Sequence, residues 1–238
     1  MAGSSDLFQK AAYAYPKPLI EINGAPMIQL VIENISSIAD PHQFIFIIKD
    51  EDAIKFHLDN TLRLLSAKCE VVKLKKNTKG GLCSVLMAID KIEPDDKMLI
   101  LNGDQIIHED FNKILEFWKM NEADAGVVTF KSVHPRWSYA RIENGEVMQT
   151  AEKNPISNHA IAGYYYFAHA ATFLHCAFQT IKNNVQHEGS FYVSPVINEY
   201  ILLTKKVINY KISTEQYHSF YSPQLLQEFE KKHSLNKL

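Results

Sequence analysis

The sequence predicts an α/β protein in which helices flank a mainly parallel β-sheet. Two continuous apolar runs, Phe44–Lys49 and residues 98–102, have the pattern of strands that are buried on both faces. A weaker run of the same kind lies between them at Cys69–Leu74. Segments with helical spacing of apolar side chains separate the three runs, at residues 51–66 and 82–92. This alternation is typical of a parallel sheet that is covered on both faces.

A further helix is predicted before the first of these strands. Apolar side chains recur at helical spacing over residues 27–38. In parallel sheets of this class, ligands bind at the carboxyl ends of the strands. Asp104 follows the apolar run at residues 98–102, so we expect its side chain to lie at that edge of the sheet.

From residue 123 onward, the pattern changes to shorter, mixed strands. Asn144-Gly145 is a hairpin signal, and strands are predicted on both sides of it, at residues 139–142 and 147–153. No repeat, low-complexity tract or long linker interrupts the chain, so we predict a single domain over residues 1–238. The other predicted elements are strands at residues 125–131, 162–167 and 206–212, and helices at residues 170–183, 194–203 and 224–238.

The composition excludes several classes of protein. A hydrophobic content of 46% and a charged content of 22% are ordinary for a globular chain, and a net charge of −2 gives no electrostatic reason to expect nucleic acid or membrane as a partner. Cys69, Cys83 and Cys176 have no C-x-x-C spacing, which argues against a disulfide framework or structural zinc. No apolar run reaches the ~18 residues of a membrane span, and no signal-peptide pattern is present. We therefore expect a cytoplasmic protein.

The N-terminal loop carries the pattern of a phosphate-binding site. Ala2-Gly3-Ser4-Ser5 are small residues, whose backbone N–H groups can approach a phosphate closely. Lys17 follows between two prolines and can neutralise phosphate charge. Loop, lysine and helix in this order suggest a nucleotide site, although small-residue loops and surface lysines are also common without that function.

Several blocks of the sequence resemble one family of enzymes. The chain is similar to sugar-phosphate nucleotidyltransferases, in particular to the branch that serves bacterial capsule and surface-polysaccharide biosynthesis. The resemblance covers residues 1–212 and implies a Rossmann-like fold of the GT-A nucleotidyltransferase type. It implies a nucleotide-binding half at residues 1–122, an acceptor-binding half at residues 123–212 and a helical tail at residues 213–238. The blocks that carry it occur in the family's order: MAG at residues 1–3, PKPLIEINGAPM at 16–27, LNGDQ at 101–105, AEK at 151–153, AIAGYYYF at 160–167 and FYVSP at 191–195.

Two departures from the family pattern bear on activity. Family members begin with a hydrophobic strand ahead of the MAG loop, whereas this sequence starts at Met1 of the loop. We therefore expect the first strand to be missing, through a start codon assigned too late or through truncation. Leu7 stands before Phe8 where relatives commonly carry an arginine that meets the triphosphate. This makes turnover less secure than the fold.

The resemblance implies a reaction and a set of catalytic residues. An acceptor phosphate attacks the α-phosphorus of a nucleoside triphosphate (NTP), and pyrophosphate leaves, with Mg²⁺ and lysines neutralising charge. Lys17, Asp104 and Lys153 are the expected catalytic residues. Asp104 is the expected Mg²⁺ ligand, with a helix N-cap as the alternative. Asn198 is the expected second ligand, and the alternative there is Glu199.

Further residues are assigned to the two substrates by the same resemblance. Glu152 and Lys153 are expected on a hydroxyl or amine and on the phosphate of the acceptor, with a plain surface ion pair as the alternative. Gly163 is expected to contact the acceptor as well. A loop at residues 78–81 should read the base, unless it only starts a helix. The residues expected at the nucleotide are Ala2, Gly3, Ser4, Lys17, Thr78, Gly80, Gly81, Asn102 and Asp104.

We therefore expect an Mg²⁺-dependent nucleotidyltransferase of capsule or surface-polysaccharide biosynthesis. CTP, UTP or dTTP is the expected nucleotide, and a sugar 1-phosphate or another small phosphate such as phosphocholine is the expected acceptor. A homo-oligomer is an open option. One alternative is a truncated or non-catalytic nucleotide-binding protein. Another is a GT-A glycosyltransferase, although those usually carry D-x-D where this chain has Asn102-Gly103-Asp104.

Overall fold

The computed structural model describes residues 1–3 and 6–234 of the chain. The strands are β1 (Glu21–Ile22), β2 (Ala25–Pro26), β3 (Phe44–Lys49), β4 (Cys69–Leu74), β5 (Met98–Leu101), β6 (Gln105–Ile107), β7 (Ala125–Lys131), β8 (Tyr139–Glu143), β9 (Glu146–Ala151), β10 (His159–Phe167), β11 (Val207–Lys211) and β12 (Tyr217–Ser219). The α-helices are α1 (Asp6–Lys10), α2 (Met27–Ile35), α3 (Asp50–Phe56), α4 (Leu58–Leu65), α5 (Gly81–Leu86), α6 (Phe111–Met120), α7 (Ala170–Lys182), α8 (Val196–Leu202) and α9 (Pro223–Ser234).

These elements form two compact units. The first unit, called unit 1 below, contains Met1–Asn77, Asn102–His108 and Glu215–Leu238. The second, unit 2, contains Thr78–Leu101 and Glu109–Thr214. The single domain and its boundaries at residues 122 and 212 stay predictions. Within the described residues, no helix is long and apolar enough to cross a membrane.

Unit 1 contains the first of the predicted parallel strand pairs. β3 and β4 pair in parallel from Phe44 opposite Cys69 to Lys49 opposite Leu74, which confirms this part of the prediction. The helix predicted over residues 51–66 is split at His57, which has a φ of 53° and lies between α3 and α4. A single left-handed residue changes the chain direction, and the spacing of apolar side chains does not reveal it.

The other parts of unit 1 are held together around β6. This strand pairs antiparallel with β12, so that Ser219 lies opposite Gln105. Asn34 of α2 donates from its amide to the carbonyl of Ile107 at 2.8 Å, and its oxygen accepts from the N–H of the same residue at 3.0 Å. Helix α2 ends at Ile35 rather than at residue 38. These contacts fix the chain immediately after Asp104.

Unit 2 is built on a six-stranded sheet with the order β5-β10-β7-β11-β9-β8. β7 and β11 are parallel, and the other pairs are antiparallel. The α/β class and the mixed strands of the second half are therefore confirmed. The sheet of unit 2 is mixed, with one parallel pair, β7–β11, and an antiparallel pair between Met98–Leu101 and β10. An apolar run shows that a strand is buried but not which way its neighbour runs.

Packing against the sheet of unit 2 sets the position of α6. Asp110 caps this helix by accepting the N–H of Asn112 at 2.9 Å. Trp118 of α6 is fully buried, stacks on Tyr166 with ring centroids 5.2 Å apart, and covers Gly126 of β7. A Cβ at Gly126 would lie 2.4 Å from the Trp118 ring, so only glycine leaves room for the indole here.

Candidate active site

Two of the predicted catalytic residues meet in unit 1. The Nζ of Lys17 lies 2.7 Å from Oδ2 of Asp104, although the residues are 87 positions apart in the chain. Both side chains are 18% exposed, so water screens the pair only in part. Lys17 opens a short 3-10 turn, Lys17–Leu19, in which Pro18 is buried. The flanking prolines restrict the backbone and hold the lysine at Asp104.

The segment around Asp104 is fixed from several sides within unit 1. The carbonyl of Asp104 accepts the N–H of Phe220 at 2.8 Å. The amide of Asn102 donates to Oε1 of the buried Gln105 at 3.3 Å. The ring of Tyr221 lies 5.8 Å from the Lys17 Nζ, within reach of a cation–π interaction. The carboxylate and the aromatic face therefore both hold the ammonium group.

The alternative use of Asp104 as a helix N-cap is wrong. Strand β6 begins at the next residue, Gln105, and α6 is capped by Asp110 instead. The carboxylate of Asp104 thus has no helix to cap and accepts a hydrogen bond from the Lys17 ammonium group instead.

The structure describes residues 1–3 of the small-residue loop at the N-terminus. The side chain of Met1 covers Gly103, where a Cβ would come within 2.5 Å of the Met1 Cγ. Ala2 and Gly3 follow, and a Cβ added at Gly3 would meet no atom within 4 Å. Ser4 lies outside the described residues. The phosphate contacts of this loop stay predictions.

The loop expected to read the base is tied to a second segment of unit 2. The N–H of Phe191 donates to the carbonyl of Lys79 at 2.7 Å, and the N–H of Leu82 donates to the carbonyl of Phe191 at 3.1 Å. Gly80 lies against this segment with a φ of 107°. The hydroxyl of Thr78 donates a hydrogen bond to the carbonyl of Gly80 at 3.1 Å, which closes the turn.

The next residue of that loop has different surroundings. Gly81 begins α5, and a Cβ added there would meet nothing within 4 Å. The backbone of Gly81 therefore leaves open space beside it. Contact of Thr78, Gly80 and Gly81 with a base stays a prediction.

The predicted acceptor pair lies in unit 2, and its two members have separate partners. Oε2 of Glu152 accepts hydrogen bonds from the hydroxyls of Ser138 at 2.5 Å and Ser194 at 2.6 Å. Lys153 has a φ of 51°, and its Nζ donates to the hydroxyl of Tyr192 at 3.0 Å. This arrangement differs from the alternative, a plain surface ion pair between the two neighbours.

Tyr192 also influences the charge of Lys153. The hydrogen bond that the lysine Nζ donates to the Tyr192 hydroxyl raises the pKa of Lys153, and the Nζ lies 5.1 Å from the centre of the tyrosine ring. Glu188 contributes a longer ion pair at 3.7 Å. The ammonium group is thus kept charged and oriented, as a phosphate-binding group must be.

Gly163 has a local structural explanation. It lies in β10 with a φ of 74°, at the point where the register between β10 and β7 shifts between Ile161 and Tyr165. Bulges of this kind favour glycine. Its expected contact with an acceptor stays a prediction.

The side-chain amide of Asn198 is hydrogen-bonded to Thr150 of strand β9. Its Oδ1 accepts from the N–H of Thr150 at 2.7 Å and from the hydroxyl of the same residue at 3.2 Å. Its Nδ2 donates to the Thr150 carbonyl at 2.9 Å. An amide oxygen has two lone pairs, so these contacts favour a clamp between α8 and β9. Glu199 accepts from Asn183 at 3.2 Å, and both residues stay only predicted as metal ligands.

The sequence of the chain matches one protein family over most of its length. The profile of the nucleotidyl transferase family matches residues 10–199. The chain belongs to this family. The resemblance to nucleotidyltransferases is thereby confirmed, whereas the capsule branch stays a prediction.

Curated members of this family are only partly matched by the chain. It is 33% identical to glucose-1-phosphate adenylyltransferase of Ruminiclostridium cellulolyticum over 118 residues, which are 46% of this chain and 28% of that protein. It is 26% identical to bifunctional protein GlmU of Methanocaldococcus jannaschii over 171 residues, or 70% of this chain and 38% of that protein. The chain therefore spans well under half the length of these relatives.

Solved structures with a similar fold confirm the α/β architecture. The nucleoside-diphosphate-sugar pyrophosphorylase of Vibrio cholerae RC9 has a TM-score of 0.86 at 22% identity, covering 97% of this chain and 98% of that one. A UDP-glucose pyrophosphorylase complexed with UDP-glucose has a TM-score of 0.78 at 16% identity, covering 99% and 96%. These likenesses support the nucleotidyltransferase fold of the GT-A type.

For a family member, the expected metal site can be tested against the residues present. Within residues 1–3 and 6–234, no group of three or more histidine, cysteine or acidic side chains could enclose a metal. Mg²⁺ in phosphate-transfer sites needs only one or two protein carboxylates, because phosphates and water supply the other ligands. Asp104, partly exposed and near a lysine, fits that requirement.

The charged candidate residues are visible in the sequence, but their hydrogen-bond partners are not. The FYVSP block marked Tyr192 and Ser194 without giving them a role, and Ser138 had no signal at all. These hydroxyls come from parts of the chain that are distant in sequence, and only the folded sheet brings them to Glu152 and Lys153.

Proposed function

We propose that this protein is a sugar-phosphate nucleotidyltransferase, which joins an NTP to a sugar 1-phosphate or a similar small phosphate. The observation that carries the proposal is the contact between Lys17 and Asp104. Two sequence blocks that the family resemblance assigns to the triphosphate and to the metal supply a cation and a carboxylate 2.7 Å apart. Nucleotidyl transfer needs both kinds of group at the phosphates.

The proposed mechanism is an in-line displacement. An acceptor phosphate oxygen bonds to the α-phosphorus, and the bond from that phosphorus to the oxygen bridging to the β-phosphate breaks, so that pyrophosphate leaves with the electron pair. Lys17 binds the triphosphate, and Asp104 would hold Mg²⁺, which neutralises phosphate charge when bound. Lys153 binds the acceptor phosphate, and Glu152 accepts a hydrogen bond from an acceptor hydroxyl or amine.

The names of the relatives support a sugar 1-phosphate as the acceptor. One is named for glucose 1-phosphate, and another was solved with UDP-glucose. We propose CTP, UTP or dTTP as the nucleotide, Mg²⁺ as the metal, and capsule or surface-polysaccharide biosynthesis in the cytoplasm as the setting. Phosphocholine is the alternative acceptor.

A second candidate is a nucleotide-binding protein without turnover. Leu7 favours it, because this apolar side chain is 42% exposed at the position where the family resemblance implies an arginine. The chain would then lack one cation for the charge that develops on the triphosphate.

The experiment that separates the two candidates is pyrophosphate release with Mg²⁺. CTP, UTP, ATP, GTP and dTTP are each tested against sugar 1-phosphates and phosphocholine. The Asp104→Asn variant serves as a matched control, because it removes the charge and keeps the size of the side chain. Release by the wild type alone supports the enzyme. Silence from folded protein that still binds an NTP in calorimetry supports the binding protein.

A further inference from the structure

Glu152 is held by side chains from separate parts of unit 2. Ser138 precedes β8, Ser194 precedes α8, and Glu152 itself follows β9. Both serine hydroxyls donate to the same carboxylate oxygen, Oε2. Donor–acceptor distances of 2.5 and 2.6 Å are typical of strong hydrogen bonds to a charged carboxylate.

The backbones of both serines are themselves fixed. The carbonyl of Ser138 accepts the N–H of Ile161 at 2.7 Å. The carbonyl of Ser194, a residue only 1% exposed, accepts the hydroxyl of the buried Thr150 at 2.7 Å. The two donors are therefore in place before any ligand binds, and they leave the carboxylate little freedom to rotate.

A buried tyrosine lies beside this group. Tyr165 of β10 is 7% exposed, and its side chain lies near Glu152 and the two serines. Burial and the nearby charge of Glu152 raise the pKa of Tyr165, so its hydroxyl stays neutral. The negative charge of the group is thus confined to Glu152.

The other carboxylate oxygen has a different environment. No hydrogen bond to Oε1 of Glu152 is formed by any residue in the described part of the chain. A carboxylate oxygen has more than one acceptor site. Oε1 can therefore accept a donor from a ligand while Oε2 stays with the serines.

We propose that Ser138 and Ser194 are positioning residues, which hold Glu152 by Oε2 so that Oε1 accepts a hydrogen bond from an acceptor hydroxyl or amine. This inference rests on the proposed function. The serines act through Glu152 and do not touch the acceptor or the reacting atoms. They would thus set the recognition of the non-phosphate part of the acceptor.

The test compares Ser138→Ala, Ser194→Ala and their combination with Ser157→Ala. Ser157 is a matched control in the same unit, because its hydroxyl donates to the carbonyl of Ala140 at 2.7 Å and has no contact with Glu152. Each positioning variant should raise the acceptor KM about tenfold, the usual effect of losing a hydrogen bond to a charged group. The NTP KM should stay within about twofold, and the control should match the wild type.

A double-mutant cycle distinguishes positioning from general damage. In a Glu152→Ala background, the serine substitutions should change the acceptor KM no further, because the group through which they act is gone. Ser138→Thr keeps a hydroxyl, so its acceptor KM should lie close to the wild-type value and well below that of Ser138→Ala. Equal rises in both KM values, or serine effects that persist without Glu152, overturn the proposal.

Calorimetric titration of glucose 1-phosphate separates this inference from the proposed function. If the wild type neither turns over nor binds any acceptor of the panel, glucose 1-phosphate included, the proposed function fails and the positioning role fails with it. If the wild type turns over and the serine variants bind equally well, only the positioning role fails. Weaker binding by the serine variants, with or without turnover, supports it.

Discussion

Replacing Gly80 with alanine tests whether the loop at residues 78–81 and the Phe191 segment form one rigid structure. An alanine Cβ would lie 2.3 Å from the Phe191 carbonyl oxygen and 2.7 Å from its nitrogen. These are backbone atoms, so no rotamer change can relieve the overlap. The φ of 107° adds strain that an L side chain adopts only at a cost.

The size of the effect follows from these contacts. A non-glycine residue in such a conformation costs of order 1–3 kcal/mol. If the segment moves away, the two hydrogen bonds that join Phe191 to Lys79 and Leu82 weaken, at about 1 kcal/mol each. We expect Gly80→Ala to lower the free energy of unfolding by about 3–5 kcal/mol. For a chain of this size, the melting temperature should fall by roughly 10 °C.

The assay is thermal unfolding followed by circular dichroism, with urea titration for the free energy. Gly81→Ala is the matched control, because its Cβ would meet nothing within 4 Å and it begins a helix. This variant should unfold at or slightly above the wild-type temperature, since alanine favours helix by up to about 1 kcal/mol. A difference of 2–3 °C in melting temperature corresponds to roughly 1 kcal/mol, which is the error of the expected effect. If Gly80→Ala melts within that range of the wild type, the loop at residues 78–81 and the Phe191 segment do not form one rigid structure.

Three further substitutions test individual residues. Asn198→Asp removes the donor to the Thr150 carbonyl, so the free energy of unfolding should fall by about 1–3 kcal/mol. If the variant instead reaches half-maximal activity at a lower Mg²⁺ concentration than the wild type, residue 198 is a metal ligand. Tyr192→Phe removes the group that raises the Lys153 pKa, so the alkaline limit of activity should move to lower pH in a pH–rate profile, and an unmoved limit contradicts this. Lys17→Met should reduce pyrophosphate release by at least roughly 100-fold, and near-normal release would argue against its contact with the triphosphate.

The prediction from sequence succeeded where a local pattern determines the structure. Phe44–Lys49 and Cys69–Leu74 pair as expected because continuous apolar runs separated by helices leave few other arrangements. Lys17 and Asp104, which the sequence assigns to the same nucleotide site, lie 2.7 Å apart, while their contact with a nucleotide stays a prediction.

Prediction was less successful where distant segments decide the outcome. The antiparallel partner of Met98–Leu101 is β10, which lies about sixty residues further along the chain. No feature of the apolar run itself selects that partner.

The clamp between Asn198 and Thr150 also joins distant segments. The sequence of a helix does not show whether an asparagine is a metal ligand or a structural amide, so this contact could not be predicted.

Three residues of the four-residue segment Phe191-Tyr192-Val193-Ser194 contact three parts of the proposed site. Phe191 is hydrogen-bonded to Lys79 and Leu82 around the loop at residues 78–81, Tyr192 accepts from Lys153, and Ser194 donates to Glu152. If those groups bind as proposed, the choice of nucleotide and the choice of acceptor share one short stretch of backbone. Engineering a new acceptor preference here would also alter base preference, so libraries that vary residues 191–194 should be screened against both substrates together.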